Sequence, residues 1–230
     1  LDESDLAYLQ QHDACTLPPE PLQSEILKAY LELVNPSFPV IDIESTLFTV
    51  KFGFEYGEEM RYQSMQNGQI ANKRIQLLLF QAIMLAGVRF VSTKALREAG
   101  FTSRESAIRI FFSRVKILYN FDSYTDRLSV IQSLLLMTLA NLPPYHDNKG
   151  ASHWLDLAIS FSYQMGLYRK KAHPRNRHQN AVERRVWWMA VVLDRTLSPS
   201  PDTLLSRSWR IKHEDSDVEM LSLEDFDLDD

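Results

Sequence analysis

Apolar residues recur along this chain at helical rather than strand spacing. Leu22, Ile26, Tyr30 and Leu33 fall three or four apart, with Glu25, Lys28 and Glu32 between them, the stripe of an amphipathic helix. Pro21 suits its first turn, where no amide donor is needed. Pro36 and Pro39 end it, because proline cannot continue a helix and biases the residue before it away from helical angles. The stretch 35–42 then reads as an apolar loop that turns Phe38, Val40 and Ile41 inward, and a short helix is expected over 45–50. Residues 52–70, with Gly53, Gly57 and Gly68 among several charges, read as a linker.

The stretch 73–91 is apolar on nearly every side, the mark of a helix at the centre of a bundle. A short helix over 93–99 is capped by Gly100. Thr102-Ser103-Arg104-Glu105 fits a capping box, opening a helix that carries Ile108, Phe111, Phe112, Val115 and Leu118 or Tyr119. Asp126 caps the next helix, which runs through Ile131, Leu134, Leu135 and Thr138 to Leu142 and stops at Pro143-Pro144. After a polar turn at 145–150, a helix over 152–165 ends at Gly166 in the left-handed conformation. Asn180 and Glu183 form a second capping pair, opening a helix through Val186, Ala190, Leu193 and Leu197 that carries Trp187-Trp188 and ends before Pro199 and Pro201. Strand alternation and short internal repeats are both missing. The expected architecture is all-α, a single bundle-like domain of about seven or eight helices. Its predicted layout is an extended lead-in at 1–19, a helical domain at 20–212 and an acidic segment at 213–230.

Composition narrows the class. The 230 residues suffice for a sizeable core. Hydrophobic residues make up 45% and charged residues 24%, ordinary globular values. Seven glycines leave little room for phosphate-cradling loops. A formal charge of −5 argues against a bulk nucleic-acid binder, whose affinity rests on phosphate contacts; no DNA-binding residues are assigned. One cysteine, Cys15, excludes both an internal disulfide and a zinc cluster within this chain. The longest apolar run, 75–91, is short for a membrane span and carries Gln76, Gln81 and Arg89, costly groups in lipid; no membrane partner is expected. The chain opens Leu1-Asp2-Glu3, without an initiating Met or a basic signal-peptide start, and stops inside an acidic run, so a fragment of a longer protein is expected.

The sequence offers neither catalytic nor metal-binding residues. The six histidines, His12, His146, His153, His173, His178 and His213, never stand three or four apart on one helix. His153 beside Trp154 suits packing or capping. Cys15 has no nearby basic partner, and serine-elbow and phosphate-loop patterns are missing. The chain is therefore read as not an enzyme.

Two charged stretches stand out. The acids Glu214, Asp215, Asp217, Glu219, Glu224, Asp225, Asp227, Asp229 and Asp230 are interleaved with Leu221, Leu223, Phe226 and Leu228. The run reads as solvated surface with Ser222 and Asp225 in cap positions, beside the alternative of an acidic–hydrophobic activation segment. The basic stretch holds Arg169, Lys170, Lys171, Arg175, Arg177, Arg184 and Arg185; without interleaved aromatics for base stacking it suits a solvated loop or contact with an acidic protein surface. Asp194 lies in the last turn of an apolar helix, where a carboxylate opposes the helix dipole, so a buried donor is expected for it.

Three stretches then read together. The first is Leu17-Pro18-Pro19 with Leu27-Lys28-Ala29-Tyr30-Leu31 and Asn35-Pro36-Ser37-Phe38-Pro39-Val40-Ile41-Asp42. The second runs from Trp154-Leu155-Asp156-Leu157-Ala158-Ile159 to Met165-Gly166-Leu167-Tyr168-Arg169. The third is Glu183-Arg184-Arg185-Val186-Trp187-Trp188 followed by Leu193-Asp194-Arg195. In order and spacing they resemble the middle homology region of fungal zinc-cluster transcription factors. Ala99-Gly100-Phe101-Thr102-Ser103-Arg104 and Leu118-Tyr119-Asn120-Phe121-Asp122 look like the branch that includes cutinase and fatty-acid-response regulators. The chain departs from the pattern at Tyr168, where histidine is frequent, and at Ser198-Pro199-Ser200-Pro201 and Ser206-Arg207-Ser208-Trp209, where a small-residue run leading to Gly-Arg-Pro is usual.

The resemblance implies a regulatory domain of a nuclear, sequence-specific transcription factor that touches DNA, and holds zinc, only through a separate domain; no cofactor is expected here. The motif core it carries over is Trp154, Gly166, Leu167, Arg169, Arg185, Trp187, Trp188, Asp194 and Arg195. An effector such as a fatty or aromatic acid is expected to shift the population between two packings, in a pocket among Phe111, Leu135, Trp154, Phe161, Met165 and Trp187; the alternative is that these six only fill the core. Self-association or a co-regulator is the other class of partner, and a ligand-free dimerisation scaffold the other reading of the whole.

Overall fold

Leu77–Gly87 sits at the centre, with every side chain from Leu78 onward buried. The computed structural model describes residues 3–48, 77–121, 126–140, 150–171, 176–197 and 209–226. Among them the helices are α1 (Glu3–Gln11), α2 (Glu20–Ala29), α3 (Ile43–Phe48), α4 (Leu77–Gly87), α5 (Thr93–Glu98), α6 (Arg104–Asn120), α7 (Arg127–Met137), α8 (Ala151–Met165) and α9 (Arg177–Leu197). Short 3-10 turns, Val88–Phe90 and Thr138–Ala140, extend α4 and α7, and two more, His213–Asp215 and Leu223–Phe226, lie near the end. No strand occurs among these residues, and the all-α class stands. The linker at 52–70, the first four residues of the helix expected over 73–91, the turn at 145–149, the proline stops at 143–144 and 199–201, and the last four residues lie outside the described residues.

Helix α4 packs on α2, α6 and α7; α7 packs on α8, and α8 on α9. Phe80, Ile83, Met84 and Leu85 are essentially inaccessible, and each such burial stabilises by roughly 2–3 kcal/mol relative to exposure. The approach of α2 to α4 is set by a missing side chain. A Cβ on Gly87 would lie 2.5 Å from the Ile26 carbonyl oxygen and 2.9 Å from Ile26 Cγ2.

Buried polar side chains fasten the irregular segments to this centre. Gln81, polar in an apolar helix and wholly buried, donates from Nε2 to the carbonyls of Thr16 at 2.9 Å and Ala14 at 3.3 Å. Gln132 on α7 donates to the Val40 carbonyl at 2.6 Å. The proline-bounded loop does turn Phe38, Val40 and Ile41 inward.

Several sequence expectations need correction. The lead-in at 1–19 is not extended: it contains α1, and Leu9 and Ala14 join the core. The helix begun at α2 widens into a π turn at Tyr30–Val34, closed by the Asn35 N–H donating to the Tyr30 carbonyl at 2.8 Å. The wider turn keeps the residue four along on the inner face and lets the one three along fall away. Val34 is therefore buried and Leu33 is 54% exposed. The cap of α6 is Ser103, whose hydroxyl accepts from the Ser106 N–H at 3.0 Å; it lies one residue later than expected, and Glu105 pairs with Arg109 instead. Helix α9 starts a turn before Asn180, with the Asn176 side chain accepting from the Gln179 N–H at 3.3 Å. Glu183 is interior to it and buried. Asp126 caps α7 as expected, accepting from the amides of Leu128 and Ser129. The acidic segment, expected to be solvated surface, lies along α9, with Asp225 buried against Arg184.

Candidate functional site

The end of α8 positions the site. Gly166 has φ +70°, a left-handed angle that suits glycine. The Leu167 N–H donates back to Ser162 and the Gly166 N–H to Tyr163, each at 3.0 Å; this pair of bonds reverses the chain and satisfies helix-end carbonyls. Leu167 is buried as the chain turns, and Arg169 is left outside with its guanidinium 4.9 Å from the Tyr168 ring centre.

Beside this turn runs the last described segment, residues 209–226, laid as a strap along α9. At its start, Asp194 is wholly buried. Its carboxylate accepts from Arg210 Nη1 at 3.1 Å, the Ile211 N–H at 3.0 Å and Arg195 Nη1 at 3.4 Å. These donors offset both burial and the opposed dipole. Arg195 also donates to the Ile211 carbonyl at 2.7 Å and lies 4.0 Å over the Trp209 ring. Arg210 reaches α8 as well, pairing with Asp156 and donating to Ser152 Oγ at 2.6 Å.

The middle of the strap follows the Trp-Trp pair. The Trp187 indole N–H donates to Ser216 Oγ at 3.1 Å, and that hydroxyl donates to the Tyr168 carbonyl at 3.2 Å. The Lys170 N–H donates to Asp217 at 2.6 Å, and the Lys170 ammonium pairs with Glu219. The Trp188 indole N–H donates to the Glu219 carbonyl at 2.8 Å. Lys170 holds the Glu219 carboxyl below its ordinary value, first by its hydrogen bond and then by its charge.

At the far end, Arg184 donates to the Met220 carbonyl at 2.6 Å and pairs with the buried Asp225 at 2.9 Å. Asp225 also accepts from the Ser222 N–H at 2.8 Å, the cap arrangement expected for this pair. Arg185 donates to the carbonyl of Asp225 at 2.7 Å and to that of Ile41 at 3.1 Å, so one guanidinium joins the strap to the proline-bounded loop near the other end of the chain. Arg177 pairs with Glu224 at 2.6 Å. The basic stretch thus meets an acidic protein surface, and that surface belongs to the same chain. Arg175 lies outside the described residues.

The motif residues divide into two groups. Arg185, Trp187, Trp188, Asp194 and Arg195 hold the strap directly, while Gly166, Leu167 and Arg169 shape the turn beside it. Trp154 stands away from it, edge-on to Phe112 at 5.9 Å and Tyr119 at 6.0 Å; His153 packs on it at 4.9 Å. Of the expected effector pocket, Phe111, Leu135, Trp154 and Trp187 are buried in the core and Phe161 and Met165 are partly buried against it. Trp187 belongs to a different aromatic group from Trp154, with Tyr163 at 5.6 Å and Tyr168 at 6.2 Å. Arg210, Ser216 and Glu219 had no assigned role in the sequence reading. The signal that could have found Glu219 is charge complementarity between 169–185 and 214–225.

Chemically, the arrangement holds one chain segment against another through ion pairs and hydrogen bonds. Among the described residues, no cluster of three or more His, Cys, Asp or Glu could hold a metal, and no helix is long and apolar enough to cross a membrane.

Residues 27–229 match the family described as the fungal specific transcription factor domain. The chain is 36% identical to cutinase transcription factor 1 beta of Fusarium vanettenii over 98% of its own length and 23% of the relative's. It is 30% identical to cutinase transcription factor 1 alpha of the same organism, over 98% of the chain and 22% of the relative. With transcription factor cpaR of Aspergillus oryzae it shares 30% identity over 96% of the chain and 34% of the relative. The chain thus spans about a third or less of the length of these curated relatives. No solved structure matches it.

Proposed function

The chain belongs to the family of fungal specific transcription factor domains, and from that premise we propose that it restrains a nuclear, sequence-specific transcription factor until an effector releases it. The observation that supports this reading is the strap: an acidic segment held on a basic, aromatic helix by ion pairs and hydrogen bonds, at the place where most of the family's motif residues converge. Two of its contacts, Lys170–Glu219 and Arg177–Glu224, are exposed ion pairs, a kind of contact that is individually weak. A segment held this way can exchange between docked and released states, and a ligand with different affinity for the two shifts the balance. DNA contacts, and the zinc that would support them, belong to another part of the protein, because one cysteine cannot build a zinc cluster. The role is non-enzymatic. Fatty and aromatic acids are the first effectors to test, by calorimetric titration and melting shifts.

The decisive experiment uses the full-length factor and a transcriptional reporter. Asp225→Lys places like charge against Arg184 and should raise effector-independent output. Arg184→Glu in the same protein restores an opposite pair and should lower it again. Unchanged output from Asp225→Lys at equal protein level would remove the restraint reading.

A further inference from the structure

The strap carries two serines, Ser216 and Ser222, each with acids on both sides in the sequence. Their hydroxyls stand differently. Ser216 is half-buried, and its Oγ accepts from the Trp187 indole and donates to the Tyr168 carbonyl. Ser222 is exposed. Met220 before it and Leu223 after it are 72% and 75% exposed. Residues 216–222 belong to neither helix nor strand, so no ladder of backbone bonds holds this stretch. Glu219, Glu224, Asp225 and Asp227 surround Ser222 in the sequence, and no lysine or arginine occurs between Lys212 and Asp230.

The contacts of Ser222 tie it to the far end of the strap. Its Oγ donates to Asp225 Oδ2 at 3.2 Å, beside its own N–H at 2.8 Å. Asp225 is 4% exposed, and its other oxygen pairs with Arg184 at 2.9 Å. The Ser222 hydroxyl is thus one of the donors that allow this carboxylate to stay buried.

We infer that Ser222 is a phosphorylation site for an acid-directed serine kinase, and that the phosphate unfastens the Asp225 end of the strap. An exposed, irregular segment whose charges are all negative fits a kinase cleft lined by basic side chains. In the transfer, Ser222 Oγ attacks the γ-phosphorus of ATP. The new O–P bond forms as the bond to the bridging oxygen breaks, ADP leaves, and the hydroxyl proton passes to the kinase's carboxylate base. A donor is thereby replaced by a group of about −1.5 to −2 charge, set beside a buried carboxylate. Asp225 loses the hydroxyl's hydrogen bond. The phosphate also competes with it for the Arg184 guanidinium, which suits either anion. Access for the kinase depends on the same contact. Asp225 is buried, so a cleft can read this acid only after the pair with Arg184 has opened locally. Modification therefore follows opening, and the phosphate then favours the open form. An effect on transcription rests on the strap as the restraining element; the site itself does not.

The test incubates the 230-residue chain with ATP and an acid-directed serine kinase, and maps the phosphate by mass spectrometry. Ser222 should be modified well ahead of Ser216. Arg184→Gln opens the pair without altering the sequence that the kinase reads, and should speed modification of Ser222 roughly tenfold. Arg184→Lys keeps a positive charge and should fall between the two; melting curves confirm that each variant is folded. Hydrogen exchange over residues 219–226 then compares the phosphorylated and unmodified chains, and the phosphate should speed it roughly tenfold. No phosphate on Ser222 in any of these chains, or Ser216 modified first, would overturn the site. Modification indifferent to Arg184→Gln would overturn the dependence on opening. Exchange unchanged or slowed by the phosphate would overturn the unfastening. None of these outcomes touches the Asp225→Lys reporter result, so the site and the restraint reading fall separately.

Discussion

Arg210 donates to the wholly buried carboxylate of Asp194 at 3.1 Å, and through it the first residues of the strap are fixed to the last turn of α9. Removing one partner of a buried pair leaves the other without compensation, at a cost of about 3–5 kcal/mol. Asp194→Ala should therefore destabilise the domain by ~3 kcal/mol, because Arg210 keeps Asp156 but the Ile211 N–H loses its acceptor. Asp194→Asn keeps the shape and one acceptor oxygen and should cost clearly less. Urea denaturation of both variants checks the order; equal losses would mean that the charge contributes nothing.

Gly87 invites a substitution with an unexpected sign. Glycine inside a helix is ordinarily worse than alanine by about 1 kcal/mol, so Gly87→Ala would be expected to stabilise α4. Here the added methyl meets the Ile26 backbone oxygen at 2.5 Å. Backbone cannot swing aside as a flexible side chain can, and overpacking costs ~1–3 kcal/mol. A lowered melting temperature for Gly87→Ala is the expected result.

The π turn at Tyr30–Val34 makes a paired prediction. Val34→Ala removes two buried methyl groups and should cost about 2 kcal/mol at ~0.8 kcal/mol for each. Leu33→Ser changes an exposed side chain and should stay within ~0.5 kcal/mol. A regular α-helical continuation from Tyr30, with Leu33 on the inner face, would reverse the order, so the two denaturation curves decide the register.

That turn also shows what could be read from the residues alone. Period and caps depend on near neighbours, so the central helix, the Asp126 cap and the Gly166 reversal were all legible. Leu33 was misplaced because a π turn changes the phase without any residue type that announces it. The helix in the lead-in was missed because it is held from a distance: Gln81, far along the chain, anchors the stretch that follows it at Ala14 and Thr16. The strap was half visible. Its acids and the basic stretch were each noticed, and the need of Asp194 for a donor followed from burial and the helix dipole. That these charges answer one another required the geometry, because Arg184 and Asp225 meet across a chain reversal that no local pattern encodes.

Acid should break the exposed contact that the strap makes through the Glu219 carboxyl. Its carboxyl lies below the ordinary value of 4.5, chiefly because it accepts a hydrogen bond from Lys170 and secondarily because of that ammonium's charge. A group depressed in the folded state contributes its stability above its unfolded value and loses it as pH falls through the folded one. The Lys170–Glu219 pair should therefore persist at pH 4.5 and give way only below it. Residue-specific carboxyl NMR of Glu219 follows the titration, and the indole N–H resonance of Trp188, which donates to the Glu219 carbonyl, follows the strap. In Lys170→Met the carboxyl should titrate closer to its ordinary value, and the change at the Trp188 indole should move to higher pH with it. Because both side chains are largely exposed, added salt should shift the curve in the same direction by screening the attraction. A Glu219 titration indifferent to both Lys170→Met and salt would mean that this pair does not fasten the strap.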